Sequence, residues 1–104
     1  NDIVAFSTSD KRFKENVKRI ENALEKIKTI GGYSFDWREE GFEAHGFKGS
    51  DVGVIAQEIE SVLPEIVKVK ANGFKGVRDE KIIALVIEAI KELDDKVEQL
   101  KKQQ

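Results

Sequence analysis

One run of the chain brings together the residue types of nucleophilic catalysis: Ser9-Asp10-Lys11-Arg12-Phe13-Lys14. A serine hydroxyl becomes a nucleophile when a base takes its proton, and a lysine amine can be that base. Free lysine titrates near 10.4, so service near neutrality requires a fall of about three units, costing about 4 kcal/mol of desolvation or charge repulsion. The flanking Lys11 and Arg12 push in that direction. Geometry is the stricter test. Five residues of extended chain would separate Ser9 from Lys14 by roughly 16 Å, and helical winding would leave them about 140° apart. A dyad demands a sharp bend at Asp10, or a lysine from another copy of the chain. On spacing alone the simpler alternative is a helix cap beside solvated lysines.

Other chemistry is sparsely provided. His45 is the sole histidine, in a glycine-rich stretch, and is expected to be a solvated loop side chain. Glu58 and Glu60 lie two apart and point to different faces of a helix, so they form no carboxylate pair and are expected to be solvated. Gly46, Gly49 and Gly53 match neither phosphate-loop nor dinucleotide spacing. With no cysteine, a cysteine-based zinc, redox or disulfide site is excluded. Neither a cofactor nor a metal is expected.

The elements that must position Ser9 and Lys14 belong to a chain of 104 residues, the size of one domain. Its 39% hydrophobic content must supply a thin core and any interface. The 18 basic against 20 acidic residues leave a net charge of −2, which does not fit a nucleic-acid partner. No apolar run reaches the roughly 18 residues of a membrane span. A start at Asn1-Asp2-Ile3 suggests a piece of a longer protein.

Asp2 to Phe6 reads as a strand leading into the Ser7–Asp10 turn. Helical spacing runs through Val17, Ile20, Leu24, Ile27 and Ile30, with a helix expected over 21–29 and either helix or extended chain over 13–19. Gly31-Gly32 is expected to end that helix in the left-handed conformation. Tyr33, Phe35 and Trp37 alternate with polar residues, predicting a strand whose aromatic face is core. Residues 39–51 read as a loop or protruding hairpin. A two-turn helix over 57–63 stops at Pro64, and Asn72-Gly73 sits between two β-prone runs as a hairpin turn. Asp79 is the expected N-cap of a last helix of about 79–101.

In that helix Ile83, Val86, Ile90, Leu93, Val97 and Leu100 recur at alternating steps of three and four, the a/d pattern of a coiled coil. Ile82, Leu85 and Ile87 widen the stripe, as in a helix packed on its own domain. The first half is expected to pack on the domain and the second, from Ile90, to project into an oligomer. The fold class is α+β, a small mixed domain of short strands and hairpins with a long C-terminal helix in a trimeric coiled coil or bundle.

The blocks Ser9-Asp10-Lys11-Arg12-Phe13-Lys14-Glu15-Asn16, Glu21 to Ile27, Phe35-Asp36-Trp37, Gly53 to Glu60, Leu63-Pro64-Glu65-Ile66-Val67, Lys75-Gly76-Val77 and Ile83 to Leu93 resemble, in order, the intramolecular chaperone auto-processing domain. That domain ends phage endosialidases, tail spikes, neck appendages and tail fibres, and occurs in a membrane-bound animal transcription factor. Where the family often carries an aromatic after Lys75-Gly76-Val77, this chain has Arg78-Asp79. The resemblance implies a homotrimer that sets the register of three chains, folds the fibre segment upstream in the same polypeptide, and then releases itself. It implies Ser9 as nucleophile, Lys14 as its lysine and a scissile bond next to Ser9, expected at Ser9-Asp10. Residues 1–9 would then end the upstream fibre and 10–104 form the chaperone domain. Assembly would occur in the host cytoplasm, the fibre passing into the virion and the chaperone being released. The alternative is a non-cleaving coiled-coil oligomerisation or adaptor module in which Ser9 caps a helix.

Overall fold

The computed structural model describes residues 6–104. The expected opening strand lies outside the described residues except for Phe6, which is in no regular element. The chain is α+β: helix α1 (Ala23–Lys28), strand β1 (Tyr33–Asp36), the single turn α2 (Phe42–His45), β2 (Ser50–Gly53), α3 (Ala56–Val62), β3 (Val67–Val69), β4 (Lys75–Val77) and the long α4 (Ile82–Lys102). Short 3-10 turns lead into several of these, at Lys11–Phe13, Glu39–Gly41, Pro64–Ile66 and Asp79–Lys81.

The core lies where α1 and α3 meet the first half of α4. Ala23, Ile59, Leu63, Ile66, Leu85 and Ala89 are buried there, with Ile20, Leu24, Ile27 and Ile30 packed around them. Ala23 and Ala89 are small, which lets α1 approach α4 closely. Of the two alternatives for 13–19 the helix is absent, since after the Lys11–Phe13 turn no helix forms until Ala23, and the non-helical segment bends at Asn16, which takes φ 54°. Asn22 enters α1 in the left-handed conformation (φ 55°) and supplies no side-chain cap. The cap comes from α4 instead: the Glu92 carboxylate accepts the Ala23 N–H at 2.8 Å and the Leu24 N–H at 2.9 Å.

Gly31 and Gly32 follow α1 as expected, but neither adopts positive φ; among the glycines only Gly46, Gly49 and Gly73 do. The helix closes through the Thr29 N–H and hydroxyl, both donating to the Lys26 carbonyl. A Cβ at Gly31 would stand 2.5 Å from the Tyr33 ring, so a larger residue there would displace that ring from Glu58.

The two sheets are antiparallel hairpins, β1–β2 with Tyr33 opposite Gly53 and Asp36 opposite Ser50, and β3–β4 with Val67 opposite Val77. At the second, Gly73 takes φ 85° while Asn72 does not take positive φ, and the Lys70 carbonyl accepts the Gly73 N–H while the Lys70 N–H donates to the Phe74 carbonyl. The loop is therefore the three-residue form, a type I turn followed by a left-handed glycine, and not the two-residue Asn-Gly turn; the Asn72 side chain accepts the Phe74 N–H. In the 39–51 stretch, expected as a loop or hairpin, Ser50 and Asp51 belong to β2, and the segment between the strands holds the Glu39–Gly41 turn and α2. The aromatic face of this first hairpin is not core: Tyr33 is 39% exposed and Phe35 and Trp37 are half-buried. A two-stranded hairpin has no second layer to cover it, so Phe35, Trp37, His45 and Phe47 stack on one another instead. Asp79 begins the turn before α4 but makes no cap hydrogen bond; neither the turn nor α4 has a side-chain cap.

Candidate functional site

The bend that a Ser9–Lys14 pair demands is present. Asp10 is extended (φ −67°, ψ 131°), and its carboxylate accepts the Arg12 N–H at 2.8 Å while the Arg12 side chain donates to both of its oxygens. Arg12 thereby holds the Asp10 carboxyl below the usual carboxylate range. The Asp10 carbonyl accepts the Phe13 N–H at 3.1 Å, and the Lys11 carbonyl accepts the Lys14 N–H at 3.0 Å. The chain turns back within these residues, and Lys14 Nζ donates to Ser9 Oγ at 3.0 Å. Asp10, not Ser9, is the cap of this turn, so the hydroxyl of Ser9 is left to the amine.

Ser9 and Lys14 border an open cleft of about 770 Å³. Ser7 and Thr8 line it with them, and its far wall is the start of α4 with Ile83 and Ala84, joined by Leu63, Ile66, Arg78 and Lys81. Arg78 is fixed beside it by its N–H, which donates to the Ile66 carbonyl at 2.9 Å. The cleft carries charges of both signs, Glu65 and Glu80 beside Arg78 and Lys81.

The expected oligomer residues all lie on α4. Ile83 (60% exposed), Ile90 (61%), Leu93 (50%), Val97 (40%) and Leu100 (60%) leave an apolar stripe uncovered, with Val86 half-buried at its margin. Leu85 lies about 160° around the helix from Ile83 and is wholly buried. The first half of α4 therefore has two apolar faces, and the open stripe begins at Ile83 rather than at Ile90. Ile82 and Leu85 face the domain, but Ile87 stands 47% exposed beside the stripe.

The remaining titratable groups do structural work. His45 is no free loop side chain: its Nδ1 accepts the Phe47 N–H at 2.9 Å and its ring packs 4.7 Å from Trp37. Glu58 and Glu60 are not merely solvated. Glu58 accepts the Gly31 N–H at 2.9 Å and the Tyr33 hydroxyl at 2.7 Å, which raises the Tyr33 pKa, and Glu60 pairs with Lys75. Glu92 is held below the usual carboxylate range by the Leu24 and Ala23 N–H groups. No local pattern flags the carboxylate anchors Glu58, Glu60 and Glu92, because their partners are 15 to 69 residues away. Among the described residues no cluster of three histidines or acids converges as a metal site, and no helix is long and apolar enough to cross a membrane.

Known proteins match this chain along most of its length. It is 39% identical to the long tail fiber protein Gp37 of Salmonella phage S16 over 92% of this chain and 13% of that protein. The corresponding figures for Gp37 of Enterobacteria phage K3 are 38%, 91% and 8%, and for that of Enterobacteria phage M1 35%, 97% and 41%. The chain thus spans less than half the length of these relatives. Residues 9–68, which include Ser9, Lys14 and the core helices α1 and α3, match the family described as chaperone of endosialidase, and the chain belongs to that family.

Proposed function

We propose that this domain trimerises and folds a phage fibre or tail-spike segment upstream in the same polypeptide, then releases itself by cleavage next to Ser9. As a member of its family it is a chaperone domain, and its relatives are tail fibre proteins. Entwined fibres close non-local contacts slowly and expose strand edges meanwhile. Holding three chains together raises their effective concentration toward the millimolar range. Release after folding removes the nucleus of assembly, so the fibre is kinetically trapped.

The observation that carries the reading is the 3.0 Å contact between Lys14 Nζ and Ser9 Oγ, a nucleophile within reach of its base in one chain. The uncovered Ile83–Leu100 stripe supports assembly into a trimer. The test is mass spectrometry of the chain expressed with its natural upstream segment. Two fragments divided beside Ser9 are expected, and a single chain after Ser9→Ala. An uncut wild-type oligomer would instead identify a permanent oligomerisation module.

A further inference from the structure

Residues 6–19, which carry the chain past Ser9 toward α1, leave their largest apolar side chains outside the core. Phe6 is fully exposed, Phe13 is 79% exposed and Val17 73%. Single apolar residues on a surface are ordinary, but two features distinguish this stretch. The first is its backbone. Asn16 takes φ 54°, a left-handed conformation that costs a non-glycine residue and persists where the surroundings fix the path. The path is fixed at both ends, by the Asp10–Arg12 clamp and, beyond the bend, by Ile20 against the core and Arg19 on Glu88 at 3.3 Å. Between these anchors Phe13 and Val17 join neither the core nor its partly buried margin, so the strained bend serves no packing among the described residues. The second feature is charge: Lys11 and Lys18 pair with no acid among the described residues. Along the chain this is also the exposed apolar surface nearest Ser9; the β1–β2 aromatics and the α4 stripe come later.

We propose that Phe13 and Val17 form the seat on which the upstream fibre segment of the same polypeptide rests, with Lys11 and Lys18 meeting acidic groups of that segment. This rests on the fibre-folding role proposed above. Phe6 lies on the fibre side of a cut next to Ser9, and Phe13 and Val17 lie on the chaperone side, so apolar surface flanks the junction on both sides. While the chain is whole, the fibre meets its seat at the millimolar effective concentration of a tether. Cutting makes the same contact bimolecular, and one built on two apolar side chains and two exposed lysines then dissociates. The seat thus holds the fibre during folding and lets it go afterwards.

The chain contains no cysteine, so a single introduced thiol reports cover at its own position. Val17→Cys and Phe13→Cys are each placed in a Ser9→Ala chain, once as the 104 residues alone and once with the natural upstream segment attached. Maleimide labelling is timed by mass spectrometry of the peptide that carries the thiol, with Gln103→Cys at the end of α4 as the control. Labelling of both thiols slowed about tenfold or more by the upstream segment, with Gln103→Cys unaffected, is the expected result. Equal rates with and without the segment overturn the seat, alone where the wild-type chain still cuts itself and together with the fibre-release role where it does not. Slow labelling in the 104 residues alone overturns it in favour of cover by a second copy of the chain.

Discussion

Ser9 and Lys14 stand five positions apart, a spacing that no regular element converts into contact, and the turn that joins them is Lys11–Phe13, capped by Asp10 through Arg12. The proposed nucleophile and its proposed base are therefore separable from the residue that positions them. Ser9→Ala should abolish cleavage and leave the helical circular dichroism unchanged, because the side chain is exposed and Asp10, not Ser9, caps the turn. Lys14→Arg should also stop it, since a guanidinium stays protonated and cannot act as base; full processing of that variant would exclude Lys14. Asp10→Ala should slow cleavage by up to about a hundredfold without stopping it, the scale of a small misplacement of reacting groups. Time courses of fragment formation separate these outcomes. The sequence displayed the dyad's members but not its geometry, because the decisive hydrogen bonds, from the Arg12 N–H and side chain to Asp10, depend on which of several local turns the chain takes.

Among the elements, α1 is the clearest case of dependence on distant chain. Six residues are too few for a helix to persist alone in water, and its first N–H groups are satisfied by Glu92 of α4. Because those bonds lower the folded pKa of Glu92, its contribution is fully present above the ordinary carboxylate value of 4.5 and is lost as the pH falls through the lower folded value. Glu92→Gln should lower the urea midpoint at pH 7, and the gap from wild type should narrow in acid; an equal gap at pH 7 and pH 3 would deny the carboxylate this role. Helices α1, α3 and α4 and the Asn72-Gly73 hairpin were legible in the sequence, since each follows from apolar period, proline or turn residues within a few positions. The fate of the Tyr33–Trp37 face was not. Alternation marks a strand with one apolar side, but whether another layer covers that side depends on the number of strands, and here α1 and α3 fill the core with aliphatic side chains instead.

For the whole molecule the decisive fact is that α4 outruns its own domain. Every residue from Leu93 onward is exposed, so the final turns find no apolar partner among the described residues, and the stripe that continues through them starts at Ile83 beside the Ser9 cleft. Each such side chain is worth about 1.5–3 kcal/mol when fully buried, multiplied by the number of chains that meet. Helix preferences alone do not select three: isoleucine at a with leucine at d favours two strands, and Lys96 and Lys101, at g and e, would meet as like charges in a parallel coil. In the proposed trimer the globular part must therefore set the number, with its α4 face fixed by Leu85 and Ala89 in the core and the terminal turns following. Light scattering tests that order of control. The chain cut after Leu93 loses Val97 and Leu100 but keeps Ile83, Val86 and Ile90 on the anchored half, and should remain trimeric at higher concentration than the full chain needs. Ile90→Asp places three carboxylates on the shared axis with no countercharge in the stripe, and should give monomers with unchanged helical content per chain. A dimeric full-length domain would show that the a/d residues, rather than the globular part, choose the number of strands.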